Sequence, residues 1–277
     1  MLCVPDLQQS SVWIGLGVTH QQRHLSTSVP ALKGDRVKRI AWSWSRLSVF
    51  EECPKKFFGL FISKEISQDN DNPIFVRGRE AHSALEVSMQ NLLQGRPIDL
   101  PETVYPDNPV RVGHVAPLLQ KLHAGANWDT IYTEQKVAFD EAMNRVKYFN
   151  KHPPVWLRGS FDLNAIDTQK RHALIIDYKT GKKRHVEHGR GQLALFAMTA
   201  FATYPQVDTI TTCYLWLEHN VKTVQNYSRA DYGQLLQEFG GRSELIQLCN
   251  ESGNWPAKKN NRCCWCPAHW GWCEYQE

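Results

Sequence analysis

The sequence predicts an α/β domain in which one mixed central sheet is flanked by helices. In the first half of the chain, apolar residues recur at helical spacing, as at Ala81, Leu85, Met89 and Leu92. From residue 130 onward, segments that alternate or run apolar are typical of strands, and a helical segment separates the last two of them. Because helices and strands alternate along the chain, we expect them to pack in layers around a single sheet.

The elements can be placed from apolar spacing and capping residues. A helix is expected from a cap at Ser45, with apolar positions that continue after Cys53 and Pro54 as far as Phe61. Further helices are expected over residues 78–93, 116–122, 192–202 and 229–249. Strands are expected over residues 131–139, 155–166, 172–178 and 209–217. The aromatic side chains of Trp42, Trp44 and Phe50 fit core packing better than base stacking. The tail beyond Asn254 is rich in Trp and Cys and shows no period of its own.

Composition excludes several classes of protein. The 277 residues are 42% hydrophobic and 22% charged, which excludes wholesale disorder and fibrous repeats. The longest apolar run, residues 193–202, is about half as long as a bilayer crossing, and the start of the chain lacks the pattern of a secretory signal. We therefore expect a cytoplasmic protein without a membrane partner, with residues 1–39 as a flexible arm and residues 40–277 as one domain.

Positive charge is concentrated in two segments, Lys33–Arg39 and Lys179–Arg190. The net charge of +4 and the pI of about 8.6 permit a polyanionic partner without requiring one. Lys182, Lys183 and Arg184 follow closely after Lys179. Such a loop either holds a nucleic-acid strand through phosphate contacts or is an ordinary solvated loop.

Two acidic residues and a lysine form the strongest candidate for a reactive centre. If the strands around them form a hairpin that is symmetric about Gln169 and Lys170, Asp162 lies opposite Asp177, with Cβ atoms about 5 Å apart. Like charges at this distance repel, so a bound cation is expected between them. Lys179 projects from the same strand face as Asp177. Such a set suits phosphodiester hydrolysis, and the alternative is a group of solvated turn residues.

These residues, with others in the same order, resemble a known family. The motifs are Gly78-x-x-x-His82, Gly159-x-x-Asp162, the run Asp-Tyr-Lys-Thr-Gly at 177–181, and Gln192 in Gln-Leu-Ala-Leu-Phe. They resemble the RecB-like branch of the PD-(D/E)XK nucleases over residues 43–275. The opening Ser45-Arg46-Leu47, with Phe50 and Cys53-Pro54, is similar to the iron-sulfur members, which include AddB-type nucleases and CRISPR-adaptation exonucleases. The resemblance implies a restriction-endonuclease-like core.

The resemblance also implies an activity and roles for individual residues. It implies a Mg²⁺- or Mn²⁺-dependent deoxyribonuclease that acts on DNA ends or single strands, in which Lys179 orients the attacking water and stabilises charge on the phosphate. Gln192 would lie near the metal or the DNA backbone. The family motif continues to a tyrosine where this chain has Phe196, so one hydroxyl is missing. The metal ligands implied by the resemblance are His82, Glu134, Asp162 and Asp177.

The cysteines predict a second metal centre. Thiols of a cytosolic protein stay reduced, so the eight cysteines are not expected to form a disulfide framework. Cys263, Cys266 and Cys273 offer three thiolates, and Cys53 is the natural fourth ligand. The resemblance implies that these four hold a 4Fe-4S cluster. Two alternatives remain: Cys264 could replace Cys263, or the site could be structural zinc completed by Cys264 or His269.

A function of a different class competes with the nuclease. The chain could be a non-catalytic nucleic-acid-binding module whose cysteines hold zinc and whose carboxylates serve only local structure. Cleavage of DNA that requires Mg²⁺ or Mn²⁺ separates the two hypotheses.

Overall fold

A mixed sheet forms the centre of the structure. The structure is a computed structural model, and it describes residues 39–125, 128–181, 186–268 and 271–275. The helices of this part of the chain are α1 (Trp44–Glu52), α2 (Pro54–Phe57), α3 (Pro73–Leu93), α4 (Ala116–Ala124), α5 (Val186–Thr203) and α6 (Tyr232–Ser252). Its strands are β1 (Thr103–Val104), β2 (Val110–Arg111), β3 (Thr130–Phe139), β4 (Leu157–Asp167), β5 (His172–Lys179), β6 (Thr209–Trp216) and β7 (Val221–Ser228).

The central sheet has the strand order β3-β4-β5-β6-β7, and β1 pairs with β2 in a separate two-stranded sheet. Strands β5 and β6 are parallel, and every other neighbouring pair in the central sheet is antiparallel. The parallel pair requires a crossover, which α5 provides. The predicted mixed sheet flanked by helices is confirmed.

Several predicted boundaries differ from the observed ones for local reasons. Helix α1 is capped by Ser43 rather than Ser45, because the Ser43 hydroxyl accepts a hydrogen bond from the Arg46 N–H. Helix α3 begins at Pro73 rather than at residue 78, since the Asn72 side chain accepts from the Ile74 N–H at 3.1 Å. Strand β7 was not predicted at all. Most of the predicted arm lies outside the described residues.

Two hydrophobic clusters cover the two faces of the sheet. Helices α1, α2, α5 and α6 pack with Phe161 and Ile175 in the first cluster, where Trp42 and Phe50 are buried, as expected. Helices α3 and α4 pack with Leu163 and Ile176 in the second cluster. Within the described residues, no helix is both long enough and apolar enough to cross a bilayer.

The alternation of strand β4 is interrupted at Asp162. Side chains two residues apart on a regular strand share a face, yet Phe161 and Leu163 belong to opposite clusters. Strand β3 shows the same change at the paired position, since Thr133 contacts Gln90 of α3 whereas Gln135 contacts Tyr204 after α5. The interruption removes the acidic residue at this point from both apolar clusters.

Candidate active site

Asp162 and Asp177 meet where strands β4 and β5 separate. The pairing runs from Asp167 opposite His172 to Leu163 opposite Ile176, which is the predicted register, and its continuation places Asp162 opposite Asp177. At that point the Asp162 carboxylate accepts a hydrogen bond from the Tyr178 N–H at 2.7 Å. Both acids are buried, with 8% of Asp162 and 5% of Asp177 exposed. Two carboxylates with so little solvent need cationic partners.

His82 approaches this pair from helix α3. Its Nε2–H donates to the Tyr178 carbonyl at 2.9 Å, which directs Nδ1 toward the acids, 3.4 Å from Asp162 Oδ2 and 3.9 Å from Glu134 Oε1. One ligand atom from each of these three residues lies within 4.8 Å of the other two, so the group could hold a metal ion. In metal sites, one ring nitrogen of a histidine commonly donates a hydrogen bond to a backbone carbonyl, and this orients the other nitrogen toward the metal ion.

Glu134 is held in the left-handed region of backbone conformation, with φ at +46°. A residue with a side chain adopts this conformation at a cost of about 1–3 kcal/mol. The strained position lies on β3 between residues paired with Leu163 and Phe161, and therefore beside Asp162. The strain accompanies a carboxylate that faces His82, as is common for residues of functional sites.

Asp177 has a different set of partners, all on the α5 side of the sheet. Its Oδ2 lies 2.6 Å from Lys179 Nζ, and its Oδ1 accepts a hydrogen bond from Gln192 Nε2 at 3.3 Å. The Lys179 ammonium donates to Gln192 Oε1 at 3.0 Å. The structure therefore brings together all three residues that the sequence predicted for this part of the site. Phe196, where the family has a tyrosine, is buried against Phe161.

The pKa values of His82 and Asp177 are both raised by their surroundings. Burial by itself would lower the pKa of His82, but hydrogen bonds to Asp162 and Glu134 outweigh it and raise this pKa to about 10. Burial raises the pKa of Asp177 above its usual range; the Lys179 ammonium counteracts this in part, and the charge of Asp162 adds to it. His82 is therefore positively charged at neutral pH, and its charge offsets part of the negative charge of the neighbouring carboxylates.

The donor atoms fit a divalent ion. Carboxylate oxygens are the ligands that Mg²⁺ and Mn²⁺ prefer, and a neutral imidazole nitrogen suits Mn²⁺ better than Mg²⁺. Asp162 and Glu134 supply the oxygens and His82 supplies the nitrogen. The structure does not include Asp177 in this close group, because its carboxylate contacts Lys179 and Gln192 instead.

A groove extends from the candidate metal-ligand group along helix α3. It is lined by His82 and Glu134, by the exposed apolar residues Ile74 and Phe75, and by the cations Arg79 and Lys136. Among the described residues, neither cation has an acidic side chain within ion-pair distance. The sequence reasoning missed these residues, although Arg79 could have been found because it lies one helical turn before His82. The predicted DNA-binding residues Lys182, Lys183 and Arg184 lie outside the described residues.

The predicted cysteine ligands from the two ends of the domain line one narrow cavity of about 20 Å³. Cys53 comes from the junction of α1 and α2, and Cys263, Cys266 and Cys273 come from the C-terminal tail. Backbone N–H groups are directed at two of the sulfurs, from Lys258 to Cys53 at 3.4 Å and from Asn260 to Cys263 at 3.3 Å. Cys264 is exposed and its thiol contacts the Asn261 carbonyl instead. His269 lies outside the described residues.

Comparison with known proteins assigns the chain to a family. Residues 41–274 match the model of the PD-(D/E)XK nuclease superfamily, and the chain belongs to this superfamily. The mixed sheet flanked by helices is consistent with its restriction-endonuclease-like fold. Membership implies a nuclease that uses divalent metal ions, but the match does not single out the RecB-like or iron-sulfur branch.

The other comparisons add little. A solved structure described as the crystal structure of SSO0001 is 12% identical, covers 86% of each chain and has a TM-score of 0.38. That similarity is too low to support an argument. No curated protein matches the chain significantly.

Proton release tests His82 as a metal ligand. Because its pKa is raised to about 10, the imidazole carries a proton at pH 7.5, and a ligand must lose that proton to bind a metal ion. We expect Mn²⁺ binding to release about one proton per ion and to tighten as the pH rises toward 10. Calorimetry in buffers of different ionisation enthalpy measures the proton count.

The matched variant in this experiment is His82→Ala. It should release few or no protons and bind Mn²⁺ more weakly. Proton release by the variant equal to that of the wild type would remove His82 from the ligand set.

Proposed function

We propose that this protein is a DNA nuclease that depends on Mg²⁺ or Mn²⁺ and acts as an exonuclease on DNA ends or single strands. The observation that carries the proposal is the position of three metal-ligating side chains next to a buried carboxylate–ammonium pair. His82, Glu134 and Asp162 form the ligand group, and Lys179 and Asp177 form the pair. Phosphodiester hydrolysis needs these two functions close together: charge neutralisation at the phosphate and activation of water.

The roles of the residues follow from their contacts. Asp162, Glu134 and His82 would hold the ion, and Asp177 would join them when its carboxylate turns toward it. A bound ion would lower the pKa of its water and neutralise charge on the phosphate. Lys179 would orient the attacking water and stabilise the developing negative charge. Gln192 would fix the ammonium and the Asp177 carboxylate relative to each other, since it bonds to both.

The composition of the groove supports a single strand as the substrate. Arg79 and Lys136 could contact phosphates, while the side chains of Ile74 and Phe75, 70% and 41% exposed, could contact unpaired bases. The bases of a duplex are stacked on each other and cannot reach such side chains. We include Lys182, Lys183 and Arg184 in the proposed DNA-binding surface because they follow Lys179 closely in the sequence. Activity at ends would suit DNA repair or recombination.

The salt dependence of binding tests the groove. Each phosphate contact to a single strand contributes about 0.7 to the slope of log affinity against log salt, because counterions are released. Replacing both Arg79 and Lys136 by Ala should therefore reduce the slope by about 1.4 for single-stranded DNA. The matched control replaces two other exposed cations: Lys170 at the β4–β5 turn and Lys222 on the opposite edge strand β7. If the salt-dependence slope falls equally in both double variants, the single-stranded DNA does not bind specifically in this groove.

Cleavage assays test the catalytic assignment. Lys179→Met keeps the length of the side chain but removes the ammonium, so kcat should fall by about 10³-fold or more while DNA affinity changes little. Lys170→Met on the same hairpin is the control and should retain full activity. Linear and circular single strands serve as substrates, because an exonuclease leaves the circle intact.

Two outcomes would contradict this assignment. Cleavage by Lys179→Met at the wild-type rate would remove the lysine from the mechanism. Wild-type protein that binds DNA but cleaves no substrate with Mg²⁺ or Mn²⁺ would favour the non-catalytic binding module.

We also propose that Cys53, Cys263, Cys266 and Cys273 hold a 4Fe-4S cluster. In the described part of the chain, no three thiols lie within 4.8 Å of one another, whereas thiolates on one zinc ion stand about 3.8 Å apart for a bond of about 2.3 Å. Four thiolates that each bind a different iron stand further apart. The N–H groups directed at Cys53 and Cys263 also suit such a cluster, since hydrogen bonds to the sulfurs tune it. Structural zinc is the alternative.

Colour and stability test the cluster. Protein purified without oxygen should be brown and absorb broadly near ~400 nm, as expected for iron bound by thiolates. Cys53→Ser should lose the colour and lower the Tm by about 5 °C or more. Cys264→Ser is the matched control and should keep both properties, because its thiol lies outside the cavity. Colourless protein that contains stoichiometric zinc and no iron would contradict the proposed cluster and leave the proposed nuclease centre unaffected.

A further inference from the structure

Tyr214 of strand β6 contacts the proposed catalytic lysine and the glutamine beside it. It is the register partner of Asp177 on the parallel pair of strands, and only 2% of it is exposed. Its hydroxyl donates to Gln192 Oε1 at 3.0 Å, and its ring centroid lies 4.8 Å from Lys179 Nζ. Neither the sequence pattern nor the family match assigns this residue a role.

The hydroxyl of Tyr214 helps to hold the Gln192 amide in place. The amide oxygen accepts from Lys179 Nζ and from the Tyr214 hydroxyl, while the amide nitrogen donates to Asp177. A flipped amide would turn its own donors toward the lysine ammonium and its oxygen toward a carboxylate. Lys179 and Asp177 set this orientation, and the Tyr214 hydroxyl stabilises it as a second donor to the amide oxygen.

The ring of Tyr214 acts on the ammonium directly. A lysine side chain has many rotamers, and freezing it in one position costs conformational entropy. The negative face of an aromatic ring attracts a cation at the distance seen here. The Asp177 carboxylate and the Tyr214 ring therefore both restrict the position of the Lys179 ammonium.

We propose that Tyr214 is a positioning residue for Lys179, which acts through its hydroxyl on Gln192 and through its ring on the ammonium. The proposal rests on the proposed function of Lys179 in phosphodiester hydrolysis. Two variants separate the contribution of the hydroxyl from that of the ring, because Tyr214→Phe removes only the hydroxyl and Tyr214→Leu removes the ring as well.

Kinetics of the conservative variant test the hydroxyl. Tyr214→Phe should lower kcat about tenfold and leave KM within about twofold, because the interaction serves the reacting geometry rather than substrate binding. In a Gln192→Ala background, the same change should lower kcat by less than about twofold, since the two residues act as one unit. Thr212→Val is the control: it removes another buried hydroxyl two residues away on β6 that contacts Gln225, and its kcat should equal that of the wild type.

The kinetic test can overturn the proposal in two ways. A wild-type kcat for Tyr214→Phe would show that the hydroxyl positions nothing. A loss that persists in full in the Gln192→Ala background would show that the hydroxyl does not act through the glutamine.

NMR of the lysine ε-methylene groups measures the position of Lys179 without any reaction. The ring current of Tyr214 should shift the Lys179 signals upfield in the wild type and in Tyr214→Phe, and Tyr214→Leu should abolish the shift. The signals are assigned from the spectrum of Lys179→Met. If the wild type cleaves no DNA but the shift behaves as expected, the proposed nuclease function fails and the positioning stands. Lys179 signals that are unchanged in Tyr214→Leu would overturn the positioning by the ring.

Discussion

Two acidic side chains, Asp162 and Asp177, lie side by side with little solvent, and the surrounding structure offsets the repulsion between their charges. Each acid receives partners from a different face of the sheet. Asp162 accepts from the Tyr178 N–H and lies beside His82 of α3, while Asp177 contacts Lys179 and Gln192 on the α5 side. The charges are thus divided between two sets of partners rather than shared by one.

The separation of strands β4 and β5 makes this arrangement possible. A continuous ladder would occupy the Tyr178 N–H and C=O groups, but here the N–H binds Asp162 and the C=O binds His82. One residue of backbone therefore orients both a carboxylate and an imidazole. The unfavourable φ of Glu134 accompanies the position of its carboxylate beside His82, in the group that could hold a metal ion.

The cysteine region is joined to the rest of the domain by contacts that do not involve a metal. Trp255 stacks on Phe57, with ring centroids 5.7 Å apart, and the Lys55 N–H donates to the Pro256 carbonyl at 3.2 Å. The two ends of the domain are therefore adjacent, and the thiols of Cys53 and of the tail line the same cavity. Proximity of this kind reduces the entropy that ligand binding must overcome.

The sequence by itself determined the types of the main helices and of strands β3 to β6, the register of the β4–β5 hairpin and the nearness of Asp177 to Lys179. These depend on apolar period, a symmetric turn and strand alternation, whereas β7 and the short β1–β2 pair were not predicted. It also indicated the superfamily, through ordered motifs. It did not determine the face change at Asp162, the conformation of Glu134 or the contacts of Tyr214 with Lys179 and Gln192. Those were decided by the tertiary structure, since each depends on groups from strands and helices far apart in the chain, and no local pattern encodes which of them meet.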